Sequence, residues 1–405
     1  MPPDNLPGQT RRKILFLALG WYCAFGFTGA SYLLPVYYTK IGLGASDAGL
    51  LVAVFYFASI ATRPFLGSVV TRTGFRPFFL AAGILSVVCS LVIALAGPRF
   101  WTAMAARAAL GLASSMMQIG LATFQAVAFE ERERGRAFSL IMAGGIVPMM
   151  TAVPVAEWLL LRGHTSLYIF VPLAICIAAT LIMPATPGLA EAKIPRPDPG
   201  KSLNPFRGMG ECLRIPAFRM AILSMFLFSV ADASASFMSS MTAHFGLMAS
   251  LFLSSNALVG LLVRLFLARY LDRFPRWMLA APTVMITSGT LLLSTFSPTE
   301  TRLVAMGLLF GIGMGIGFPL HLALISDSVP MRLQPQAVSI CWFLIGLGFT
   351  VIPLFMGWLG SMTGPVIPLR VTSGAALCGT VTLAVLWHAR HRRARAFHRT
   401  GNGVK

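Results

Sequence analysis

Long apolar segments alternate with short polar ones along nearly the whole chain. A helix that crosses a bilayer needs about 20 apolar residues. Twelve segments have close to that length: 14–38, 48–70, 78–95, 101–128, 137–160, 167–183, 218–241, 251–271, 277–294, 303–326, 337–360 and 372–387. The pattern predicts an all-α integral membrane protein with twelve transmembrane helices. The run that begins at Ile14 is long enough to span, which favours a first helix over a cleaved signal peptide.

A polar interval rich in proline, glycine and charge divides these segments into two groups of six. We expect an N-terminal six-helix bundle at 1–183, a cytoplasmic linker at 184–216 and a C-terminal six-helix bundle with a basic tail at 217–405. The halves also resemble each other. A shift of 201 positions places Arg63 on Arg264, and a shift of 200 places Gly111 on Gly311. Two similar bundles are typical of transporters whose halves rock about a central site.

Composition excludes a soluble protein. Only 11% of the 405 residues are charged, 56% are hydrophobic, and the mean hydropathy is +0.77. A soluble domain carries roughly 25% charged residues, which cover its surface. Lipid is the solvent that tolerates their absence.

The net charge of +19 first suggests a nucleic-acid partner, but the positions of the basic residues favour another interpretation. Of the 32 Lys and Arg, 24 fall on one side of the predicted spans, five on the other and three within spans. Such a bias marks the cytoplasmic side. We therefore expect both termini in the cytoplasm of a bacterium, a multi-pass protein of the inner (plasma) membrane, and a basic tail at 388–399 that touches anionic lipid rather than nucleic acid.

Known catalytic and metal-binding patterns are missing from the sequence. The six cysteines show no CxxC or Cys/His metal spacing, so we expect no disulfide and no metal site. There is no P-loop, HExxH or Ser-His-Asp arrangement, and the polar loops are too short for a catalytic domain. We expect no cofactor and no enzymatic activity.

A motif follows the second predicted span. The stretch from Gly67 to Arg76 reads G-S-V-V-T-R-T-G-F-R, which resembles the loop 2–3 signature G-x-L-x-D-R-x-G-R-R of the major facilitator superfamily. Gly67, Arg72, Gly74 and Arg76 match that signature, whereas Thr71 stands at its acidic position. The resemblance covers nearly the whole chain and implies the major facilitator fold of two six-helix bundles.

A second, degenerate copy follows the eighth span. It keeps the acid as Asp272, with Arg273 and Arg276 beside it, and loses both glycines. An aspartate near the N-terminus of a neighbouring helix is stabilised by the helix dipole. The two copies therefore predict a cytoplasmic gate, formed more strongly by the second copy. The alternative is that these residues are only positive-inside anchors.

Arg107 begins the run R-A-A-L-G, which resembles the fourth-helix R-x-x-Q-G pattern of the same superfamily, with Leu110 at the glutamine position. In drug–proton antiporters this arginine is linked to proton transfer, and the resemblance implies that role for Arg107. A guanidinium within a span is costly and needs a partner or a water-filled cavity. A structural ion pair and snorkelling to the outer surface are the alternatives.

Asp232 is the acid that lies deepest within a predicted span. Loss of water favours the neutral form of a carboxyl group, which suits proton binding and release. We expect the cation of Arg107 to favour the ionised form of Asp232. The alternative is a polar group in an outer vestibule that is already wet.

Other polar and aromatic residues within spans complete the predicted substrate cavity: His321, Gln118, Trp21 and Tyr22. His321 can bind substrate or protons, or it can be a core histidine whose hydrogen bonds are satisfied. Aromatic residues on the first span can line an amphipathic cavity or simply pack.

Proton-coupled export of a small amphipathic molecule is the predicted function. Gly144, Gly145 and Pro148 resemble a degenerate form of the glycine-rich fifth-helix motif of exporters, and 107–157 resembles bacterial exporters of metallophores such as staphylopine. We expect a small-molecule substrate, protons and membrane lipid as partners, and a monomer. An importer of the same fold, or a non-transporting membrane scaffold or sensor, remain open.

Overall fold

The computed structural model describes residues 8–129, 137, 141–189, 192, 205–267, 275–330 and 333–401. The regular structure in these residues is helical throughout. Ten helical segments are long and apolar enough to cross a membrane. Two further helices, Phe100–Ala128 and Ala249–Leu262, lie at the remaining predicted positions. These findings confirm the prediction of an all-α membrane protein.

We name the segments span one to span twelve in chain order. The first six contain Gly8–Ser31 with Leu34–Lys40, Ala45–Thr73, Phe75–Ala96, Phe100–Ala128, Val147–Met150 with Ala152–Leu161, and Thr165–Tyr168 with Phe170–Ile182. The last six contain Pro216–Ala235 with Met238–His244, Ala249–Leu262 with Val263–Leu267, Arg276–Ser294, Glu300–Asp327, Gln334–Thr363 and Val366–Gly401. A further helix, Pro205–Arg214, lies in the linker. We call "outer" the ends of the spans opposite the basic segments.

Several spans are interrupted rather than straight. Span one breaks at Tyr32 and span seven at Ser236, and each resumes as a helix of seven residues. The two breaks meet, because the hydroxyl of Ser239 donates to the carbonyl oxygen of Tyr32 at 2.5 Å. A break in a span is stable where a neighbouring helix satisfies the freed backbone groups.

The same close helix contact occurs in both halves. A Cβ atom at Gly111 in span four would collide with the carbonyl oxygen of Phe55 in span two, and one at Gly311 in span ten would lie 2.5 Å from that of Asn256 in span eight. Small residues allow helix backbones in a membrane to approach this closely. The residue pairs related by the sequence shift therefore make equivalent contacts.

The two halves meet along spans two and eleven and along spans five and eight. At the outer ends, a Cβ at Gly49 would lie 2.8 Å from the Cα of Gly357. On the other side, the hydroxyl of Ser254 donates to the carbonyl of Met149 at 2.8 Å. The glycines that allow the closest approach of spans two and eleven thus lie at the outer ends, far from the motif glycine Gly67.

Candidate functional site

Asp232 lies where the two halves face each other. It is partly buried, on the helix Pro216–Ala235 of span seven. Its charge interacts with that of Arg264 in span eight. From the N-terminal half, Tyr32 and Tyr56 lie within electrostatic range of the same carboxylate. Spans of both halves therefore surround this acid.

A second arginine lies near Asp232 besides the one considered from the sequence. Sequence reasoning assigned Arg107 as the cation that favours the ionised carboxylate. The structure adds a second cation, since Arg264 lies within electrostatic range of Asp232. Tyr56 lies within electrostatic range of both Arg107 and Asp232. The effect of Arg107 on Asp232 stays a prediction.

Arg107 is fully buried within the N-terminal half. Its Nε donates to the carbonyl of Leu51 at 3.1 Å, and its guanidinium lies 4.4 Å from the ring centre of Phe55. Its two terminal nitrogens have no hydrogen-bond partner among the described residues. A cavity of about 20 Å³ beside it has room for one water molecule. Three tyrosines lie within electrostatic range of the guanidinium: Tyr38, Tyr56 and Tyr168.

Gln118, predicted to line the substrate cavity, forms a hydrogen bond with a second arginine, Arg63. Its Oε1 accepts a hydrogen bond from Arg63 at 2.8 Å, and its amide nitrogen donates to Ser114 at 3.3 Å. The guanidinium of Arg63 lies 5.5 Å from the ring centre of Trp342 in span eleven. Arg63, the residue equivalent to Arg264 under the sequence shift, is thus directed toward the other half.

The aromatic residues of span one bind their neighbours. The indole nitrogen of Trp21 donates to Gln125 at 3.0 Å, and its ring stacks on Phe25 at 5.4 Å. The hydroxyl of Tyr22 is 2.9 Å from that of Thr151 in span five. Trp21 is 8% exposed and packs in the core of the N-terminal half. Tyr22 is partly exposed.

His321 lies in the inner part of span ten and is fully buried. Its Nε2 is 2.8 Å from the hydroxyl of Ser224, and its Nδ1 is 2.7 Å from the carbonyl of Gly317. The ring stacks on Phe228 at 5.0 Å. Both nitrogens therefore have partners within the C-terminal half, and the structure does not bring His321 together with the residues around Asp232.

The first predicted gate copy forms a tight turn between spans two and three. Gly74 has φ +81°, a conformation that favours glycine because it has no Cβ. Arg72 and Arg76 flank it and are exposed. Gly67 lies on the helix Ala45–Thr73.

The second predicted copy is described only at its end. Asp272 and Arg273 lie outside the described residues. Arg276 begins span nine and forms an ion pair with Asp327 at the end of span ten. This pair joins two helices of one half, and the gate itself stays a prediction.

Sequence reasoning missed the interaction partners of two charged residues. Arg264 was recognised only as the repeat partner of Arg63, although that equivalence already indicated a matching position in span eight. Glu157 was not predicted as a functional residue, yet it is 3% exposed and contacts span eight. No local pattern marks either contact, because each requires two distant segments to pack together.

Comparison with known proteins gives the family. The family model described as Major Facilitator Superfamily matches residues 16–300 and 220–403. No curated protein sequence is similar enough to count as a relative.

Solved structures share the fold at low sequence identity. They include a nucleoside transporter, NupG (14% identity, TM-score 0.76, covering 93% of this chain and 99% of that one). A POT family transporter in complex with a thioalcohol-conjugated peptide has 13% identity and a TM-score of 0.72, covering 94% and 96%. A bacterial homologue of the human lysosomal transporter Spinster, inward-facing and unoccupied, has 14% identity and a TM-score of 0.73, covering 96% and 98%.

Members of the matched family are transporters rather than enzymes. The twelve helical segments, the contacts along spans two and eleven and along spans five and eight, and the family match across both halves agree. The chain therefore belongs to the major facilitator superfamily and is a multi-pass membrane protein that acts as a secondary active transporter.

Proposed function

We propose that this transporter exports a small amphipathic molecule from a bacterial cell in exchange for protons, and that Asp232 binds the coupling proton. The observation that carries the proposal is the position of Asp232: it lies within electrostatic range of Arg264 of its own half and of tyrosines of the other half. Ionisable groups within spans are costly and mark ion pathways. A carboxylate between two moving halves can take a proton on one side and release it on the other.

The partner of Asp232 explains how a proton can be sensed. In its ionised form the carboxylate attracts the guanidinium of Arg264 in span eight. Protonation removes that attraction. Protons that load from outside and leave inside would therefore alternate the strength of this attraction through the transport cycle.

The surroundings favour an amphipathic substrate. Tyr56 packs on Phe349 of span eleven with ring centres 4.9 Å apart. Arg63 lies over Trp342 in the same interface. Aromatic surfaces beside cations suit molecules with both apolar and polar parts, such as drugs, metabolites, siderophores or metallophores. A cavity of about 260 Å³ at the outer ends, lined by Val36, Phe237 and Met356 among others, lies on the proposed exit route.

Export over import is supported by span five. Helix at 141–144 gives way to a turn, and Val147–Met150 forms a short 3₁₀ helix. A Cβ at Gly144 would collide with the carbonyl of Ala18 in span one. The degenerate exporter motif thus forms a bend against span one. Import by the same fold, and a scaffold or sensor without transport, are the competing functions.

Transport in vesicles with an imposed pH gradient decides between these functions. Purified protein in proteoliposomes is given a panel of probes: ethidium, rhodamine and a carboxylate siderophore. We expect the wild type to concentrate at least one probe on the side from which protons leave. Asp232→Asn should abolish this uphill accumulation, because an amide cannot bind a proton, while probe binding persists. Asp47→Asn, at the outer end of span two, is the matched control and should behave as wild type.

Each competing function predicts another result. Accumulation on the side that protons enter indicates an importer. A wild type that moves none of the probes with or without a gradient indicates a scaffold or sensor. If Asp232→Asn accumulates a probe as well as wild type, Asp232 is not the coupling residue.

A further inference from the structure

Glu157 is a buried carboxylate at the outer end of span five, and it contacts the other half of the protein. Its Oε1 accepts a hydrogen bond from the backbone N–H of Ala249 at 2.5 Å, and its Oε2 accepts one from that of Ser250 at 2.6 Å. The hydroxyl of Ser250 also donates to it. Ala249 and Ser250 open the first helix of span eight. One side chain of the N-terminal half thus covers a helix terminus of the C-terminal half.

An ionised carboxylate suits this position. The first N–H groups of a helix have no acceptor within the helix, and the helix dipole adds partial positive charge there. A negatively charged acceptor forms stronger and shorter hydrogen bonds than a neutral one. In the described residues, the hydrogen-bond donors to Glu157 all come from span eight. Separation of the outer ends would therefore break these hydrogen bonds and expose the carboxylate to water.

Other charged groups around Glu157 are engaged elsewhere. Lys40 of span one donates to the backbone of span five at 2.7 Å, and Arg162 lies over the ring of Trp158 at 5.7 Å. Tyr168 donates to the backbone of span one at 2.8 Å, and His164 is exposed. The span eight helix Ala249–Leu262 carries no titratable side chain. In the described part of the chain, the carboxylate of Glu157 therefore interacts with the N-terminus of the helix Ala249–Leu262.

The outer ends are closed on both sides of the interface. Spans two and eleven touch at Gly49 and Gly357, and spans one and seven are joined through Ser239. In a transporter with alternating access, a closed outer side corresponds to a conformation that faces inward. The Glu157 contact belongs to that conformation.

We propose that Glu157 is an outer latch: its ionised carboxylate holds spans five and eight together, and a proton taken up from outside weakens this contact and favours the outward-open state. The cycle in which the latch acts rests on the proposed function. Asp232 would carry the coupling proton, whereas Glu157 would set how readily the outer side opens.

Labelling of a buried thiol from outside tests the latch. Ser239→Cys places a small thiol at a site that is 2% exposed and reachable only when the outer ends separate. A membrane-impermeant maleimide is applied to cells that carry the full chain. The parent chain with its natural cysteines gives the background, and Ser166→Cys, at an exposed position near the outer start of span six, corrects for the pH dependence of the reagent.

Two results are expected. Glu157→Gln in the Ser239→Cys chain should raise the corrected labelling rate about tenfold, since a neutral amide replaces a charged acceptor. Lowering the external pH from about 8 to about 5 should raise the rate with Glu157 present and leave the Gln variant unchanged, because only a carboxylate titrates there. Glu300→Gln, at the first turn of span ten in a single half, should leave the labelling rate unchanged.

Equal labelling of the Ser239→Cys chain with and without Glu157→Gln overturns the latch. A tenfold increase in the Gln variant, with no pH dependence of labelling when Glu157 is present, overturns the proton response. Melting temperature and membrane abundance show whether the Gln variant is folded. If the wild type concentrates no probe in vesicles, the proposed function fails, yet the labelling still decides the latch because it requires no substrate.

Discussion

At the scale of single residues, the charges within the spans differ in how they are compensated. Arg264 and Asp232 act on each other. Arg107 instead has a carbonyl, an aromatic face and tyrosines around it. A cation held this way stays charged, since arginine does not lose its proton in proteins. Asp232 is therefore the member of this group whose charge a proton can change.

Two substitutions of Arg264 distinguish the effect of its positive charge on transport from the effect of its side-chain shape. Arg264→Gln removes the cation that stabilises ionised Asp232, so we expect proton-driven accumulation of a transported probe to fall at least about tenfold. Arg264→Lys keeps the charge and should retain part of the activity. The pH dependence of probe exchange should move to higher pH in the Gln variant, because Asp232 then binds its proton more readily.

Arg302→Gln is the control for this experiment. It removes a charge at the outer end of span ten without touching Asp232, and we expect wild-type transport. Equal transport and equal pH dependence in Arg264→Gln and wild type would exclude Arg264 as the partner of the coupling acid.

At the scale of helices, close backbone contact organises each half. Gly111 of span four faces the carbonyl of Phe55, and Gly311 of span ten faces that of Asn256. These glycines lie at equivalent positions of the internal repeat. Membrane helices associate through packing rather than through exclusion of water, so a side chain at either position pushes two spans apart.

Gly111→Ala should destabilise the N-terminal half. The added methyl group collides with the carbonyl of Phe55, and overpacking of this kind costs about 1–3 kcal/mol. We expect the melting temperature of the detergent-solubilised protein to fall by several degrees. Gly289→Ala in span nine meets no atom within 4 Å and should leave it unchanged or raise it slightly. The same loss in both variants would contradict this account of the contact.

Most helix positions could be predicted from the sequence, but their ends and breaks could not. Span twelve was predicted at 372–387 and extends over Val366–Gly401, because hydropathy detects the part in lipid and not the helix that continues into water. The break at Ser236 has no proline or glycine to announce it. It depends on the contact between Ser239 and Tyr32, two residues far apart in the chain.

A residue of the candidate site could be predicted from the sequence when its type is rare within a membrane span. Asp232 was found because an acid within a span is rare. The charge of Arg264 near Asp232 and the contact made by Glu157 were missed, since each depends on residues of two different spans. Gln118 was identified correctly as a polar group in a span, but its partner Arg63 is visible only in three dimensions.

At the scale of the whole molecule, two halves of similar construction meet at their outer ends. Span five contacts span eight through Glu157, and span two contacts span eleven through Gly49. These pairs are equivalent under exchange of the halves. Such symmetry allows the contact to open at one end while it closes at the other, as alternating access requires.

The orientation of the molecule in the membrane is the remaining prediction, and the assignment of inner and outer ends depends on it. The excess of basic residues on one side, 24 against five, predicts both termini in the cytoplasm, because basic loops resist translocation. A reporter fused after Lys405 should be active as green fluorescent protein, which matures in the cytoplasm, and inactive as alkaline phosphatase, which requires the periplasm. A phosphatase fused at Gly163, between spans five and six, should be active and serves as the control. Phosphatase activity after Lys405 would reverse the orientation. Glu157 would then lie at the cytoplasmic side, and the structure would represent an outward-facing state.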